Sequence, residues 1–513
     1  MSRSRRAAPV ILAAALAFGG SLLAAGPAAA HAIGDVFTLP VPLALYLAGA
    51  GIAVAASFVV SVLAVRPPGP LPAYPARPVG AGASRVASAI LRVVGVAWWF
   101  GTILAGYLVD PISPLPAVLF WTGIWVGLPI VAVVLGNPWP SLSPLRSLLS
   151  VVDRGVRLAG GSGLDAGLAY PRRLGRWPAV ALLFAALWCE LVLFSRTAPL
   201  VVANLLLGYT LLTVAGATLF GRVAWLRNAE LFEVLLGWFG RVGPLGRRVV
   251  APDVCQDCEE ACDPARCVDC PECAVAAEPA ERRPELRPWF AGLTEVRGAG
   301  SSDAAFVVLA LAGVTYDGLA ETAFFGSLMQ PVFDALWQTL GPSETVLVVQ
   351  TGGLATVWLI FLAAFALAAW LTRALHDPGR QVAPLGATAG TYASTLLPIA
   401  AGYLVAHYLT AVIQGVVWLP ILLADPLATA APPLDWIPVS AVWYLSVAAI
   451  VGGHVAAVVL AHRIALRDAP GRAVLAGLPL VVLMVSYTVF SLWIIAAPIT
   501  LEPGTVPAAL AWP

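Results

Sequence analysis

The sequence predicts an all-α membrane protein: a signal peptide, about ten transmembrane helices and a cysteine-rich cytoplasmic loop. Apolar residues make up 60% of the 513-residue chain and charged residues only 11%, whereas a typical soluble domain has roughly a quarter charged residues. The apolar residues form continuous runs of about 20, the length that crosses ~30 Å of hydrocarbon. These runs lack the alternation of apolar and polar residues that is typical of barrel strands. If the runs cross a membrane in turn, the arginines between them lie almost entirely on one side of it.

The first thirty residues have the three parts of a secretory signal peptide. Three arginines among the first six residues precede an apolar stretch over 7–23, and Ala28-Ala29-Ala30 offers an A-x-A cleavage site. Cleavage there makes His31 the mature N-terminus. An uncleaved first span is the alternative.

We predict ten spans in the mature chain, with prolines at several of their ends because proline disrupts a helix interior. Spans one to five lie within residues 31–221, a long loop covers 222–302, and spans six to ten lie within 303–513. The predicted spans are 41–65, 86–109, 116–136, 178–195, 199–221, 304–323, 345–371, 386–409, 438–462 and 474–498.

The arginines orient these spans. The chain has no lysine, and every arginine except Arg196 lies before the first span, in every second connection or, in the case of Arg92, near the beginning of the second span. Because arginine-rich connections are retained in the cytoplasm during insertion, we predict a bacterial plasma-membrane protein with a cytoplasmic 222–302 loop and external mature termini. The net charge of +1 and the absence of any other basic cluster do not indicate nucleic-acid binding.

The long loop carries two features. Apolar residues within Glu230 to Arg241 fall broadly on one side of a helix and predict an amphipathic helix in the inner interface. Farther along, six of the seven cysteines are clustered as Cys255, Cys258, Cys262, Cys267, Cys270 and Cys273.

Repeated C-x2-C pairs place two thiolates on one tight turn, as a tetrahedral metal centre requires. Because cytoplasmic thiols stay reduced, we favour a zinc site that uses four of the six cysteines in a structural role. An iron–sulfur cluster and a redox-sensitive or metal-scavenging loop remain alternatives, and the loop is also a candidate site for a cytoplasmic protein partner.

Ionisable side chains at membrane depth are costly and indicate functional sites. Asp317 and Glu321 lie four residues apart, on one face of span six, and Glu190 and His407 lie at similar depth in spans four and eight. Asp317, Glu321 and His407 are therefore candidate catalytic residues, which could hold a second divalent metal that activates water. The same residues could instead relay protons, bind a transported cation or form ordinary interhelical hydrogen bonds.

Two more histidines are candidate metal ligands. His31 at the mature N-terminus offers an α-amino group and an imidazole, a pair that suits a transition metal such as copper. His454 in span nine faces the same way as His462, eight residues later. For His31 the alternative is a chance result of the cleavage position. The sequence has no G-x-S-x-G elbow, P-loop, H-E-x-x-H or Rossmann motif.

Four stretches of the mature chain have a familiar sequence: His31 to Leu43, Tyr316 to Thr322, Leu397 to Tyr408 and Gly453 to His462. Together they resemble a group of polytopic actinobacterial membrane proteins that commonly carry the name fenitrothion hydrolase, over most of the mature chain. The resemblance implies hydrolysis of a small hydrophobic organophosphorus triester, with cleavage of a P–O bond and release of a nitrophenol. It identifies no catalytic residues. The alternatives are a metal-ion or proton-coupled permease and an assembly or sensor protein.

Overall fold

The computed structural model describes residues 37–38, 42–67, 74–79, 81–249 and 282–501, except 162, 165, 295, 297 and 298. Within these residues, ten helical segments are long and apolar enough to cross a membrane, which confirms the predicted all-α, multi-pass architecture. We number them span one to span ten in the order Leu43–Ala64, Val86–Leu108, Leu115–Val134, Arg172–Leu191, Pro199–Phe220, Ser301–Ala320, Pro342–Ala374, Leu385–Ala424, Val439–Asp468 and Ala473–Ala497. The predicted signal peptide and the cysteine cluster lie outside the described residues.

Several spans contain more than one helical element. Span three consists of Leu115–Ala117, a π-helix over Val118–Gly127, and Leu128–Val134, and span eight is Leu385–Ala393, a 3₁₀ turn over Ser394–Leu396, and Leu397–Ala424. The helices of spans two, four and ten cover Ala81–Leu108, Trp177–Leu191 (preceded by the 3₁₀ turn Arg172–Leu174) and Ala473–Ile499. Shorter helices outside the spans are Trp139–Leu142, Pro144–Leu158, Arg222–Asn228, Leu231–Phe239, the 3₁₀ turn Ala291–Leu293, and Ala323–Leu340.

Span six is the centre of the bundle. Nearly all of its side chains are buried, because it packs against spans four, seven, eight and ten. Small residues permit this close approach: a methyl group built on Gly313 would lie 2.6 Å from Leu187 of span four. Asp317 of span six is therefore surrounded by protein rather than by lipid.

Two small sheets mark opposite faces of the bundle. At one face, which we call the terminal face, β1 (Phe37–Thr38) pairs in parallel with β5 (Thr500–Leu501). At the other, the sheet face, β2 (Arg77–Pro78), β4 (Arg282–Leu286) and β3 (Leu245–Val249) form an antiparallel sheet in that order. The pairing of β1 with β5 agrees with an even number of spans.

Helix Leu231–Phe239 is buried within the bundle near the sheet face. Both of its sides are covered, including the side chain of Glu233, so it does not have the exposed polar side that an interfacial amphipathic helix requires. The negative charge of Glu233 is balanced within the protein, because the guanidinium of Arg146 donates two hydrogen bonds to Glu233 Oε1, at 2.9 and 2.6 Å.

Glu230, the N-cap of this helix, is fully buried and accepts four hydrogen bonds. Its carboxylate accepts hydrogen bonds from the Tyr209 hydroxyl at 2.5 Å and from the Trp139 indole N–H at 3.2 Å. It also accepts hydrogen bonds from the backbone N–H groups of Phe232 and Glu233, at 3.3 and 2.5 Å. Burial, together with the neighbouring Glu233 carboxylate, raises the pKa of Glu230 to about 7. The cluster anchors the short helix to span five and to helix Trp139–Leu142.

Spans eight and nine are in backbone contact through glycines. A methyl group built on Gly402 would come within 2.3 Å of the Ala449 carbonyl oxygen, and one on Gly453 within 2.3 Å of the Pro398 carbonyl oxygen. The Ser446 hydroxyl also donates to the Ala406 carbonyl at 3.1 Å. Small residues bring helices together in this way where lipid provides no hydrophobic driving force, and here they fix the helix that carries His407.

Candidate functional site

A cavity of about 720 Å³ opens among the spans on the side of the terminal face. It is bounded by the end of span six, the beginning of span three, the connection between spans four and five, and the middle of span eight. Its polar lining includes Glu190, Arg196, Asp317, Glu321, Gln350, His407 and Tyr408. Cavities of this volume bind small organic molecules in many proteins.

Asp317 is at the centre of the polar lining. A single carboxylate oxygen, Oδ2, lies 2.8 Å from Nε2 of His407 and accepts a hydrogen bond of 2.6 Å from the Tyr408 hydroxyl. The side chain of Asp317 is 21% exposed and that of His407 is 8% exposed, so the pair lies at the cavity wall and is largely withdrawn from solvent. Hydrogen bonds to an ionised carboxylate are about twice as strong as neutral ones, and this arrangement can hold or release a proton.

Two further acids line the same cavity. Glu190 of span four is half-buried, interacts with Trp125 and Tyr408, and lies within electrostatic reach of both Asp317 and Arg196. Glu321 follows the last residue of span six and caps its C-terminal end. The two carboxylates of span six thus share one face, as their spacing predicts.

The π-helix of span three forms one wall. Trp121, Thr122 and Val126 line the cavity, and the wider turn lets the N–H of Leu128 donate to the Gly123 carbonyl, five residues back. A methyl group built on Gly415 of span eight would lie 2.4 Å from the Thr122 side chain, so the π-helix packs directly on the helix of His407. π-bulges are frequent at functional sites.

The helix that carries His407 begins inside the bundle, after the 3₁₀ break at Ser394–Leu396. The side chains of Ser394 and Thr395 bond back to the carbonyls of Thr391 and Tyr392, at 2.7 and 2.6 Å. One turn before His407, the buried hydroxyl of Tyr403 has no hydrogen-bond partner in the described part of the chain. A methyl group built on Gly318 would lie 2.7 Å from that hydroxyl, so it faces span six beside Asp317.

The structure therefore brings Asp317, Glu321, Glu190 and His407 together in one cavity. His454 does not line it: Nδ1 bonds the Ile450 carbonyl at 2.8 Å, and Nε2 is buried without a partner among the described residues.

The residues described hold no group of three or more His, Cys, Asp or Glu arranged for a metal ion, and Nε2 of His407 is already occupied by Asp317. The donors present thus do not form a ready ligand set for the second divalent metal. His31 and the six clustered cysteines lie outside the described residues.

The sequence did not identify Tyr408, Arg196 and Gln350 as residues of the site, although the structure places all three in the cavity lining. Tyr408 follows His407 directly, and Gln350 accepts a hydrogen bond from Tyr316 through its backbone carbonyl at 3.0 Å, but neither residue type is conspicuous in a sequence. Arg196 had a visible signal, because it is the one arginine that breaks the asymmetry.

Comparison with known proteins gives no match: no family model, no curated protein and no solved structure matches this chain. The fold and the cavity define a class, the multi-pass helical membrane proteins with an ionisable cavity between their spans. The resemblance to fenitrothion hydrolases remains a prediction.

Proposed function

We propose that this protein is a proton-coupled transporter of a small organic solute, which binds in the cavity between spans three, four, six and eight. The observation that carries the proposal is the Asp317 carboxylate, bonded to both His407 and Tyr408 at the wall of that cavity. Acids and histidines placed within spans and facing a cavity are characteristic of proton relays and solute pathways.

The discontinuous spans support transport. Transporters often bind their solutes where a transmembrane helix is broken, and span eight is broken at Ser394–Leu396, while span three contains the π-helix over Val118–Gly127. The two irregular spans pack against each other. The π-helix itself lines the cavity, whereas the break of span eight lies about three turns before His407, outside the cavity lining. Irregular backbone at this depth allows one part of a span to move relative to the other.

In this proposal Asp317 is the proton carrier. When ionised, it is stabilised by His407 and Tyr408. When a proton from the aqueous side binds its carboxylate, the cluster loses one negative charge, and the energetic cost of closing the cavity away from water falls. Release of the proton on the other side restores the ionised cluster. Glu190 and Glu321 set the electrostatic field around this step.

The arginine asymmetry supports an orientation with the terminal face outside the cell and the sheet face in the cytoplasm of a bacterium. The cavity then opens to the exterior, and residues 250–281, between β3 and β4, are cytoplasmic. In this orientation we assign the clustered cysteines to a cytoplasmic zinc site with a structural role.

A second candidate is hydrolysis of an organophosphorus triester, which the resemblance implies. The Asp317–His407 contact favours it, because a carboxylate that orients an imidazole is a common general-base arrangement. Here His407 would accept a proton from water as the water oxygen bonds to phosphorus, and the P–O bond to the nitrophenol would break with departure of the nitrophenolate. In this reaction His407 and Asp317 activate the water without a metal ion, in keeping with the described residues, which form no three-ligand metal group.

One preparation tests both candidates. Purified protein is reconstituted in liposomes that contain an internal pH dye, and proton flux is recorded after addition of dimethyl phosphate, trimethyl phosphate or tetramethylammonium. Hydrolysis is followed as nitrophenolate release from diethyl 4-nitrophenyl phosphate. We expect solute-dependent proton flux that Asp317→Asn abolishes. The exposed Asp334, which accepts a hydrogen bond from Gln330, provides a control variant, Asp334→Asn, that retains the flux.

The two candidates give opposite outcomes. Nitrophenolate release that depends on Asp317, without proton flux for any solute, would refute the transporter and support the hydrolase. Flux that is unchanged in Asp317→Asn would refute the role of the carboxylate as proton carrier.

A further inference from the structure

Arg196 lies in the connection between spans four and five and lines the same cavity as Glu190, Asp317 and Glu321. Cations are disfavoured on the translocated side of a membrane protein, and every other arginine of the chain lies on the arginine-rich side. An arginine that breaks this rule and faces a cavity is a candidate for a direct role in binding.

The surrounding backbone holds Arg196 in place. Its carbonyl accepts a hydrogen bond of 2.7 Å from the indole N–H of Trp121, in the π-helix. Its own N–H donates to the Leu193 carbonyl at 3.3 Å, and the N–H of Ala198 donates to the Ser195 carbonyl at 3.0 Å. Two tight turns and the Trp121 indole therefore fix the backbone from which the Arg196 side chain enters the cavity lining.

The guanidinium remains available to a ligand. Within the described part of the chain it forms no salt bridge, although Glu190 lies within its electrostatic reach. Span five begins next to it at Pro199, and no side chain caps that helix end, so the positive end of a 22-residue helix adds potential of the same sign. A guanidinium presents a planar set of donors that matches an oxyanion in two-point contact.

We propose that the solute of this cavity is a small organic monoanion whose oxyanion group, a phosphodiester or a carboxylate, binds Arg196. This inference rests on the proposed function and specifies its substrate class. The anion binds Arg196, while a proton binds Asp317 in the same cavity. Proton and monoanion together carry no net charge, so the membrane potential does not oppose their joint movement.

Saturation-transfer NMR on the purified protein in a non-ionic detergent tests the proposal without requiring transport. The probes are dimethyl phosphate, a monoanion, and trimethyl phosphate, a neutral molecule of nearly the same shape. We expect transfer to the methyl groups of dimethyl phosphate and much weaker transfer to those of trimethyl phosphate. Arg196→Gln should weaken dimethyl phosphate binding by about tenfold to a hundredfold, and Arg196→Lys should retain part of it.

Arg173→Gln is the control, since it removes an equal charge from an exposed arginine outside the cavity. Equal binding of the two probes, or binding of dimethyl phosphate unaffected by Arg196→Gln, would overturn the proposal. Loss of the signal on addition of equimolar phosphatidylglycerol would assign the site to a lipid headgroup and also overturn it. Anion binding without proton flux would refute the transporter and leave the anion site in place, so the two failures are distinguishable.

Discussion

Replacement of Glu230 by alanine would remove the acceptor on which four hydrogen bonds converge at the sheet face. Loss of an N-cap side chain costs about 1 kcal/mol, and a buried donor left without an acceptor costs about 1–3 kcal/mol. The Trp139 indole N–H and the Tyr209 hydroxyl are the two side-chain donors affected. We therefore expect Glu230→Ala to lower the free energy of unfolding by about 3–7 kcal/mol.

Unfolding by SDS in mixed micelles, followed by tryptophan fluorescence, measures this loss. Glu230→Gln keeps one acceptor oxygen and should lose only about 1–2 kcal/mol. Glu344→Ala, at an exposed glutamate in the first turn of span seven, is the matched control and should have little effect. A value for Glu230→Ala within about 1 kcal/mol of this control would show that the four bonds do not stabilise the helix as argued.

Three further expectations concern pH, metal and packing. Because the pKa of Glu230 is raised to about 7 from 4.5, the folded state binds more protons than the unfolded state between these pH values. The free energy of unfolding should therefore fall as pH rises from about 4.5 to 7. When SDS unfolding is measured at several pH values, Glu230→Gln should make this pH dependence flatter. Elemental analysis should find zinc in the purified protein and lose it when all six clustered cysteines are replaced by serine, and retention of the metal would contradict the proposed zinc site. Gly402→Val should force spans eight and nine apart and lower the melting temperature, whereas Gly452→Val, at a position with nothing within 4 Å, should not.

The spans were predictable because hydropathy and proline report directly on membrane length. The fifth span was expected over 199–221 and is found at Pro199–Phe220. The eighth was expected to end at 409 but continues to Ala424, because the residues after 409 are almost all apolar and extend the helix. The sheet of β2, β4 and β3 was not predictable, because its strands are short and lie far apart in the chain.

The site was predictable in part. Asp317, Glu321, Glu190 and His407 were identified because charge at membrane depth is rare and costly. The pairing of Asp317 with Tyr408 depends on the rotation of span eight relative to span six, and a largely apolar sequence gives little information about rotation. The break at Ser394–Leu396 was missed for a similar reason, since Ser394 and Thr395 bond their own backbone and leave no clear signal in composition.

The pairing of β1 with β5 at the terminal face has a consequence for biogenesis. Span one packs mainly against spans nine and ten, and β1 is closed by β5 at the other end of the chain. A ribosome releases span one into the bilayer nearly 400 residues before span nine exists, so the first helix to be inserted is among the last to find its neighbours. Until then, the face that will carry Ala50, Val54 and Phe58 must be covered by lipid or by an insertion factor. Truncation after span eight should therefore leave a chain that inserts but is recognised as incomplete by membrane quality control.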